Sequence, residues 1–97
     1  MKPDKPQQVA VITGSNRGIG LETARQLSRR GFHVVIAARD EVQGRQAAES
    51  IHAEGGKATF LFLDLSCSES IRSAAQRFAV IAESLDVLIN SGQRFAV

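Results

Sequence analysis

Four short apolar runs alternate with three segments of helical spacing along this chain of 97 residues. The runs are rich in Val, Ile, Leu and Phe, and their length is typical of strands buried on both faces of a parallel sheet. They cover residues 9–12, 32–38, 58–65 and 86–90. Because a helical segment follows each of the first three runs, the pattern predicts a βαβαβαβ order with right-handed crossovers. We expect an α/β fold, a partial Rossmann fold whose four-stranded parallel sheet has the order 3-2-1-4 and carries three helices.

The helical segments begin and end at residues with known capping roles. Asp40 with Gln43, and Ser66 with Glu69, have capping-box spacing, so we expect the second and third helices to begin there. Gly31 stands where a left-handed residue would end the first helix, and a Gly-Gly pair ends the second. The expected apolar stripes consist of Ile19, Thr23, Ala24 and Leu27 in the first helix, of Ala47, Ala48 and Ile51 in the second, and of Ile71, Ala74, Ala75, Phe78, Ile81 and Ala82 in the third.

A glycine-rich turn joins the first apolar run to the first helix. Backbone N–H groups in such a turn, together with the helix N-terminus, favour an anion, and phosphate is the natural ligand. The turn does not have the spacing G-x-G-x-x-G, and Leu21 stands where a P-loop would carry Lys before Ser or Thr. The candidate phosphate-binding residues are Thr13, Gly14, Ser15, Asn16, Arg17, Gly18, Ile19 and Gly20.

Composition limits the function classes that remain. A hydrophobic fraction of 43% with 23% charged residues is ordinary for one globular domain. The net charge is only +2, the basic residues are scattered and Trp and Tyr are absent, so we expect no nucleic-acid binding. Cys67 is the only cysteine, which excludes an intramolecular disulfide, and no residues have metal-ligand spacing. Without an apolar segment of membrane length, we expect a cytoplasmic protein that binds no membrane.

The glycine turn resembles the T-G-x-x-x-G-x-G motif of the short-chain dehydrogenases/reductases. Thr13, Gly14, Gly18 and Gly20 match that motif in full. Three more matches follow in order: Arg39 after the second strand, Asp64 with Leu65 at the end of the third, and a fourth strand ending at Asn90 that resembles the one leading into the family's N-N-A-G. The resemblance covers residues 9 to 90.

The resemblance implies a nicotinamide dinucleotide as the ligand. The glycine turn would cradle the pyrophosphate, Asp64 and Leu65 would contact the adenine end, and Asn90 would line the cofactor cleft. These positions all lie at carboxyl ends of parallel strands, where open α/β sheets bind ligands. The structural alternatives are that Thr13 and Asn90 only satisfy backbone groups of turns and that Asp64 caps the next helix.

Charge at the end of the second strand favours NADP(H) over NAD(H). A 2′-phosphate is best held by a guanidinium group, whereas a ribose 2′-hydroxyl is best met by a carboxylate. The second strand ends in Ala38 with no carboxylate, Arg39 follows, and Arg17 in the glycine turn is within reach of the same pocket. The alternative is that Arg39 is a surface charge paired with Asp40.

The chain departs from the family pattern in its catalytic residues and in its last residues. Family members use a Ser and a Tyr-x-x-x-Lys pair from the later part of a longer domain, and this chain contains no tyrosine. We therefore expect no hydride transfer by the isolated chain. Residues 93–97 repeat residues 76–80 letter for letter, which indicates a truncated or altered C-terminus, whether from an alternative product, a damaged gene or engineering.

The sequence thus predicts a flexible lead at residues 1–8, a dinucleotide-binding half of a Rossmann domain at 9–90 and an irregular tail at 91–97. Its function would be the NADP(H)-binding part of an oxidoreductase that transfers hydride between the cofactor and a carbonyl or alcohol. The alternatives are a non-catalytic nucleotide-binding or protein-interaction module and a nonfunctional remnant. The fourth strand would form an exposed apolar edge, so self-association through it is expected. The substrate is not indicated.

Overall fold

A parallel four-stranded sheet with helices on both faces forms the protein, as the sequence pattern predicts. The computed structural model describes residues 7–14, 18–82 and 85–90, so residues 1–6 of the predicted lead and the whole predicted tail lie outside the described residues. The strand order β3-β2-β1-β4 is confirmed, and every pairing is parallel. The elements are β1 (Val9–Thr13), α1 (Gly18–Arg29), β2 (His33–Ala38), α2 (Glu41–Ala53), β3 (Lys57–Phe62), α3 (Ser68–Ile81) and β4 (Val87–Asn90).

The sheet separates two apolar clusters. The first lies under α1 and α2, where Ile12 and Ile36 of the central strands meet Ala24 and Ile51 of the helices. The second lies under α3, where Val35 and Leu61 meet Ala74. All residues of β1 and β2 are buried, since these strands occupy the centre of the sheet. Each fully buried Val or Ile side chain contributes about 1.5–3 kcal/mol to the free energy of unfolding, so the central pair holds most of the core.

Glycines in the left-handed region end α1 and α2, as predicted. Gly31 has φ 96°, and its N–H donates to the Ser28 carbonyl at 3.0 Å. The N–H of Phe32 donates to the Leu27 carbonyl at 3.1 Å, which completes a Schellman motif. The end of α2 repeats this arrangement with Gly55 at φ 93°. After each of these helices the chain therefore turns sharply towards the next strand.

The predicted beginning of α2 is confirmed and that of α3 is wrong. Asp40 is the N-cap of α2, and its Oδ1 accepts a hydrogen bond from the Gln43 N–H at 2.9 Å. In α3 the N-cap is Cys67, which makes no side-chain capping bond. Ser66 lies before the helix, and its hydroxyl donates to Asp64 Oδ1, whereas an N-cap hydroxyl accepts from a backbone N–H of the first turn.

Two of the predicted apolar stripes also need correction. Ile19 in the first turn of α1 is 83% exposed, and Leu21 packs against the core in its place. On α3, Ile71 and Ala75 are exposed, while the other members of the stripe are buried or half-buried. The third strand ends at Phe62 and not at Leu65, which leaves residues 63–65 in the loop that leads to α3. Among the described residues, no helix combines the length and the apolar character that a membrane span requires.

A buried histidine lies at the amino-terminal end of the sheet. His33 on β2 is 5% exposed, and its Nε2 lies 2.8 Å from the Thr59 hydroxyl on β3. Burial lowers the pKa of His33, and the neighbouring charges of Lys57 and His52 lower it further. The folded protein therefore favours the neutral imidazole.

We expect an alanine at Gly44 to destabilise the protein. A Cβ at this position would overlap the ring of Phe60, on which the Arg45 guanidinium lies 5.3 Å from the centroid. Overpacking costs about 1–3 kcal/mol, which exceeds the gain of about 1 kcal/mol from the helix propensity of alanine. Chemical denaturation of Gly44→Ala should show this loss, and Gln46→Ala on the exposed face of α2 should change stability little. In a Phe60→Leu background the Gly44→Ala cost should disappear; an unchanged cost would mean that the ring is not the obstacle.

His33 should make stability depend on pH. The unfolded chain takes up a proton near the ordinary histidine value of 6.5, whereas the folded chain resists protonation to a lower pH. The contribution is therefore complete above about pH 6.5 and is lost as the pH falls from that value towards the folded pKa. Urea denaturation between pH 7.5 and 5 should show the decline, and His33→Gln should flatten it. Equal slopes for the two proteins would contradict this role.

Candidate functional site

The carboxyl ends of all four strands meet at one edge of the sheet. Thr13 at the end of β1 lies in register with Ala37 of β2 on one side and with Asn90 of β4 on the other. Ala38 of β2 lies in register with Phe62 of β3. The loops that follow these strands carry the candidate residues, so the topology brings the glycine turn, residue 39 and residues 64–65 to the same edge.

Two glycines of the turn have a left-handed backbone. Gly14 and Gly18 both have φ 68°, in the region that a side chain disfavours. The N–H of Gly14 donates to the Ala37 carbonyl at 3.0 Å, which fixes the start of the turn against β2. Among the described residues, no atom lies within 4 Å of a Cβ built on Gly18. Thr13 is buried, at 8% exposure.

The remaining candidates of the turn divide into two groups. Ser15, Asn16 and Arg17 lie outside the described residues. Gly20 is buried in the first turn of α1, whereas Ile19 is exposed. The first-turn N–H groups of any helix have no intrahelical acceptor, and here they follow Gly18, near whose Cβ position no described atom lies. The partial positive charge of the helix N-terminus is thus directed at the edge where the strands end.

Arg39 is an exposed cation with no counterion in the described parts of the chain. It follows β2 directly, and no carboxylate of the described residues lies within 4.0 Å of its guanidinium. Asp40, the alternative partner, accepts the N-cap bond of α2. Arg39 still acts on the site at longer range, because its charge helps to lower the pKa of Asp64.

The loop around Asp64 stabilises the ionised form of its side chain. Its Oδ1 accepts two hydrogen bonds from Ser66, one from the hydroxyl at 2.7 Å and one from the N–H at 3.0 Å. These bonds lower the pKa of Asp64, the hydroxyl bond most strongly. The Asp64 side chain does not cap α3, so that alternative is wrong. Among the described residues, Oδ2 has no hydrogen-bond donor and is free to accept one.

Two serines that the sequence analysis did not assign to the site position Asp64. Ser66 orients the carboxylate, and the Ser70 hydroxyl accepts a hydrogen bond from the Asp64 N–H at 2.8 Å. Ser66 could have been found from the Asp-x-Ser pattern of an Asx turn. Ser70 could not, because its contact depends on how α3 packs beside β3. The neighbouring Leu65 is 48% exposed, which leaves an apolar surface beside the carboxylate.

The whole fold and most of the chain match one protein family. A family model described as short chain dehydrogenase matches residues 8–93. Retinol dehydrogenase 12 of Mus musculus is 49% identical over 88 residues, which is 89% of this chain and 28% of that protein. The chain therefore spans less than a third of the length of this curated relative.

Solved structures agree with the sequence match. A metagenomic short-chain oxidoreductase in complex with NADP has a TM-score of 0.78 and 42% identity, over 84% of this chain and 37% of that one. A variant of the actinorhodin polyketide ketoreductase with NADPH has a TM-score of 0.85 and 31% identity, over 91% of this chain and 34% of that one. Both are bound to a phosphorylated nicotinamide cofactor, according to their descriptions.

Replacing Ser66 by alanine should raise the pKa of Asp64. The substitution removes the hydroxyl bond, which is the largest cause of the lowered pKa, and keeps the bond from the backbone N–H. The carboxyl ¹³C shift of Asp64, followed through an acid titration, should move to a higher midpoint in Ser66→Ala. Ser73→Ala, at an exposed position on α3, is the matched control and should leave the midpoint unchanged. An unaltered midpoint in Ser66→Ala would contradict the assigned hydrogen bond.

Proposed function

Because the chain belongs to the short-chain dehydrogenase family, we propose that it forms the NADP(H)-binding part of an oxidoreductase. In the complete family the reaction is hydride transfer between the nicotinamide and a carbonyl or alcohol. The substrate class stays open, since fold and cofactor site are shared by enzymes with many substrates.

The glycine turn is the observation that carries this proposal. Two left-handed glycines, Gly14 and Gly18, lie between the end of a central strand and a helix N-terminus, and no atom of the described residues lies within 4 Å of a Cβ built on Gly18. A pyrophosphate there would accept hydrogen bonds from first-turn N–H groups and would meet the positive end of the helix. A side chain at Gly18 would require a strained backbone and would fill that space, so the residues present fit a dinucleotide.

Arg39 supports the choice of NADP(H). Its guanidinium is exposed, follows β2 directly and has no carboxylate partner among the described residues. A 2′-phosphate would provide that counterion through charge-assisted hydrogen bonds, whereas a 2′-hydroxyl has no charge for Arg39 to neutralise. The cofactors named for the two structural neighbours agree with this choice. Arg17 is assigned to the same pocket from its position in the sequence alone.

Asp64 and Leu65 are assigned to the adenine end of the cofactor. The free Oδ2 of Asp64 is an acceptor suited to the adenine amino group, and the exposed Leu65 side chain offers an apolar surface to the ring. An aspartate is ionised at physiological pH, and the hydrogen bonds from Ser66 and the charge of Arg39 lower the pKa of Asp64 further, so the acceptor is available there. Asn90 ends β4 in register with Thr13 and is assigned to the rim of the cleft.

We propose further that these 97 residues bind the cofactor without turning it over. When bound, the cofactor supplies the hydride, while the residues described above bind and orient it. Reduction of a carbonyl also needs a group that donates a proton to the developing alkoxide. The family uses a tyrosine for this step, and the chain contains none.

Direct binding measurements test the cofactor assignment. Calorimetry on the 97-residue chain should show binding of NADPH in preference to NADH. Arg39→Ala should weaken NADPH binding by about tenfold or more, because a charge-assisted bond contributes about 1.5–3 kcal/mol, and should leave NADH binding unchanged. Arg72→Ala, which removes an exposed arginine of α3, is the matched control and should bind both cofactors as the original chain does.

Two results would overturn the proposal. A folded chain that binds neither cofactor would exclude the dinucleotide site. Equal weakening of NADPH and NADH binding in Arg39→Ala would show that this residue does not contact the 2′-phosphate.

A further inference from the structure

Hydrogen bonds hold Asp64 at both its backbone and its side chain. The Asp64 N–H donates to the Ser70 hydroxyl at 2.8 Å, and the Asp64 carbonyl accepts from the Cys67 N–H at 3.1 Å. The side-chain Oδ1 accepts from the hydroxyl of Ser66 and also from its N–H. Among the described residues, Oδ2 is the only polar atom of Asp64 without a hydrogen bond.

Ser66 fixes the direction of the carboxylate as well as its position. Its hydroxyl oxygen lies 2.7 Å from Oδ1 of Asp64, and its backbone nitrogen lies 3.0 Å from the same atom. A side chain held by one hydrogen bond can pivot about that bond. Two donors on one oxygen restrict this rotation, because both bonds must keep their angles. Oδ2 is therefore an acceptor with a defined direction.

An acceptor with a defined direction can distinguish two kinds of purine. An ionised carboxylate accepts hydrogen bonds and donates none. Adenine carries an amino group at its position 6, which donates, whereas guanine and hypoxanthine carry a carbonyl oxygen there, which only accepts. The purines of the second kind have their nearest donor at N1, the next atom of the ring. A carboxylate that turns freely could reach that N–H, and a carboxylate held in one direction could not.

We propose that Ser66 determines the base selectivity of the cofactor site, because it holds Asp64 so that the free oxygen meets a 6-amino purine and not a 6-oxo purine. The inference rests on the proposed function, which assigns Asp64 to the adenine end. Ser66 acts through Asp64 and is thus a positioning residue. The exposed side chain of Leu65 offers the same apolar surface to both kinds of ring and does not contribute to the choice.

The mismatch at position 6 sets the size of the selectivity. A 6-oxo purine would leave Oδ2 without a donor and would place its own carbonyl oxygen against the negative charge. Sites that bind a polar group of the ligand reject analogues without it, because their own polar group is left unpaired. Since the loop is at the surface and Leu65 is 48% exposed, water compensates part of this loss. We therefore expect a preference of about tenfold or more for the 6-amino base.

Calorimetry with two cofactors tests the role of Ser66. The 97-residue chain should bind NADPH more tightly, by that factor, than the analogue of NADPH in which hypoxanthine replaces adenine. Ser66→Ala should lower the ratio of the two affinities by about threefold or more, because the hydroxyl bond is lost and only the N–H bond remains. Ser66→Thr keeps a hydroxyl and should restore the ratio. Ser73→Ala, at an exposed position on α3, is the matched control and should keep it.

Asp64→Asn tests the direction of the side chain. The two donors of Ser66 should select the amide oxygen for the place of Oδ1, which leaves the NH₂ group in the place of Oδ2. That group donates, so this variant should prefer the hypoxanthine analogue to NADPH. An amide that Ser66 did not orient would present either atom to the base and would not reverse the preference.

Four results would overturn this inference alone. They are equal affinity of the original chain for the two cofactors, an unchanged ratio in Ser66→Ala, a ratio that Ser66→Thr fails to restore, and an Asp64→Asn variant that still prefers NADPH. In each case NADPH still binds, so the proposed function stands. A folded original chain that binds neither cofactor would overturn the proposed function and this inference with it. Circular dichroism establishes that each variant keeps its helices.

Discussion

The parallel pairing of β1 with β2 is the contact on which both the core and the candidate site depend. Every residue of the two strands is buried, and their alternating side chains supply both apolar clusters. The pairing continues past the strands through the bond from the Gly14 N–H to the Ala37 carbonyl. That bond fixes the first left-handed glycine relative to the end of β2, where Arg39 follows. A shift of register by one residue would reverse the faces of every core side chain and would also move the glycine turn away from Arg39.

The loop after β3 adds an electrostatic constraint to this frame. Ser66 uses its hydroxyl and its N–H on one oxygen of Asp64, so the other oxygen stays available while the group remains ionised. The exposed cation of Arg39 lowers the pKa of the same carboxylate without forming an ion pair among the described residues. An ion pair with Asp64 would have neutralised Arg39, the residue proposed to hold the 2′-phosphate. The candidate site therefore has a hydrogen-bond acceptor and, among the described residues, a cation without an ion-pair partner at one edge of the sheet.

Much of this arrangement was predictable because local signals and packing agree. The continuous apolar runs predicted buried parallel strands, and Gly31 and Asp40 predicted the adjoining helix boundaries. The prediction failed where two local patterns overlapped. Ser66 belongs both to a Ser-x-x-Glu capping box and to an Asp-x-Ser turn, and Asp64 is the acceptor that it contacts. Ile19 continues a helical stripe by spacing, but the core under α1 is filled by Leu21, Ala24 and Leu27, which leaves Ile19 in solvent. The contact between Ser70 and Asp64 depends on tertiary packing, which no local pattern encodes.

The two edges of the sheet differ because helices flank β3 on both faces. The helix α2 extends along one side of β3 and supplies His52 and Arg45, while α3 lies on the other side and supplies Ser70. His52 therefore binds the carbonyl of Ala58 in β3, Arg45 covers the Phe60 ring of that strand, and Ser70 binds the N–H of Asp64 just after it. At β4 only the face under α1 and α2 is packed, and Leu88 on the other face is exposed. The strand order thus decides which edge is protected. At one edge, β3 is flanked by the two helices that precede and follow it in the sequence, α2 and α3. At the other edge, β4 lies beside β1 and has no such cover among the described residues.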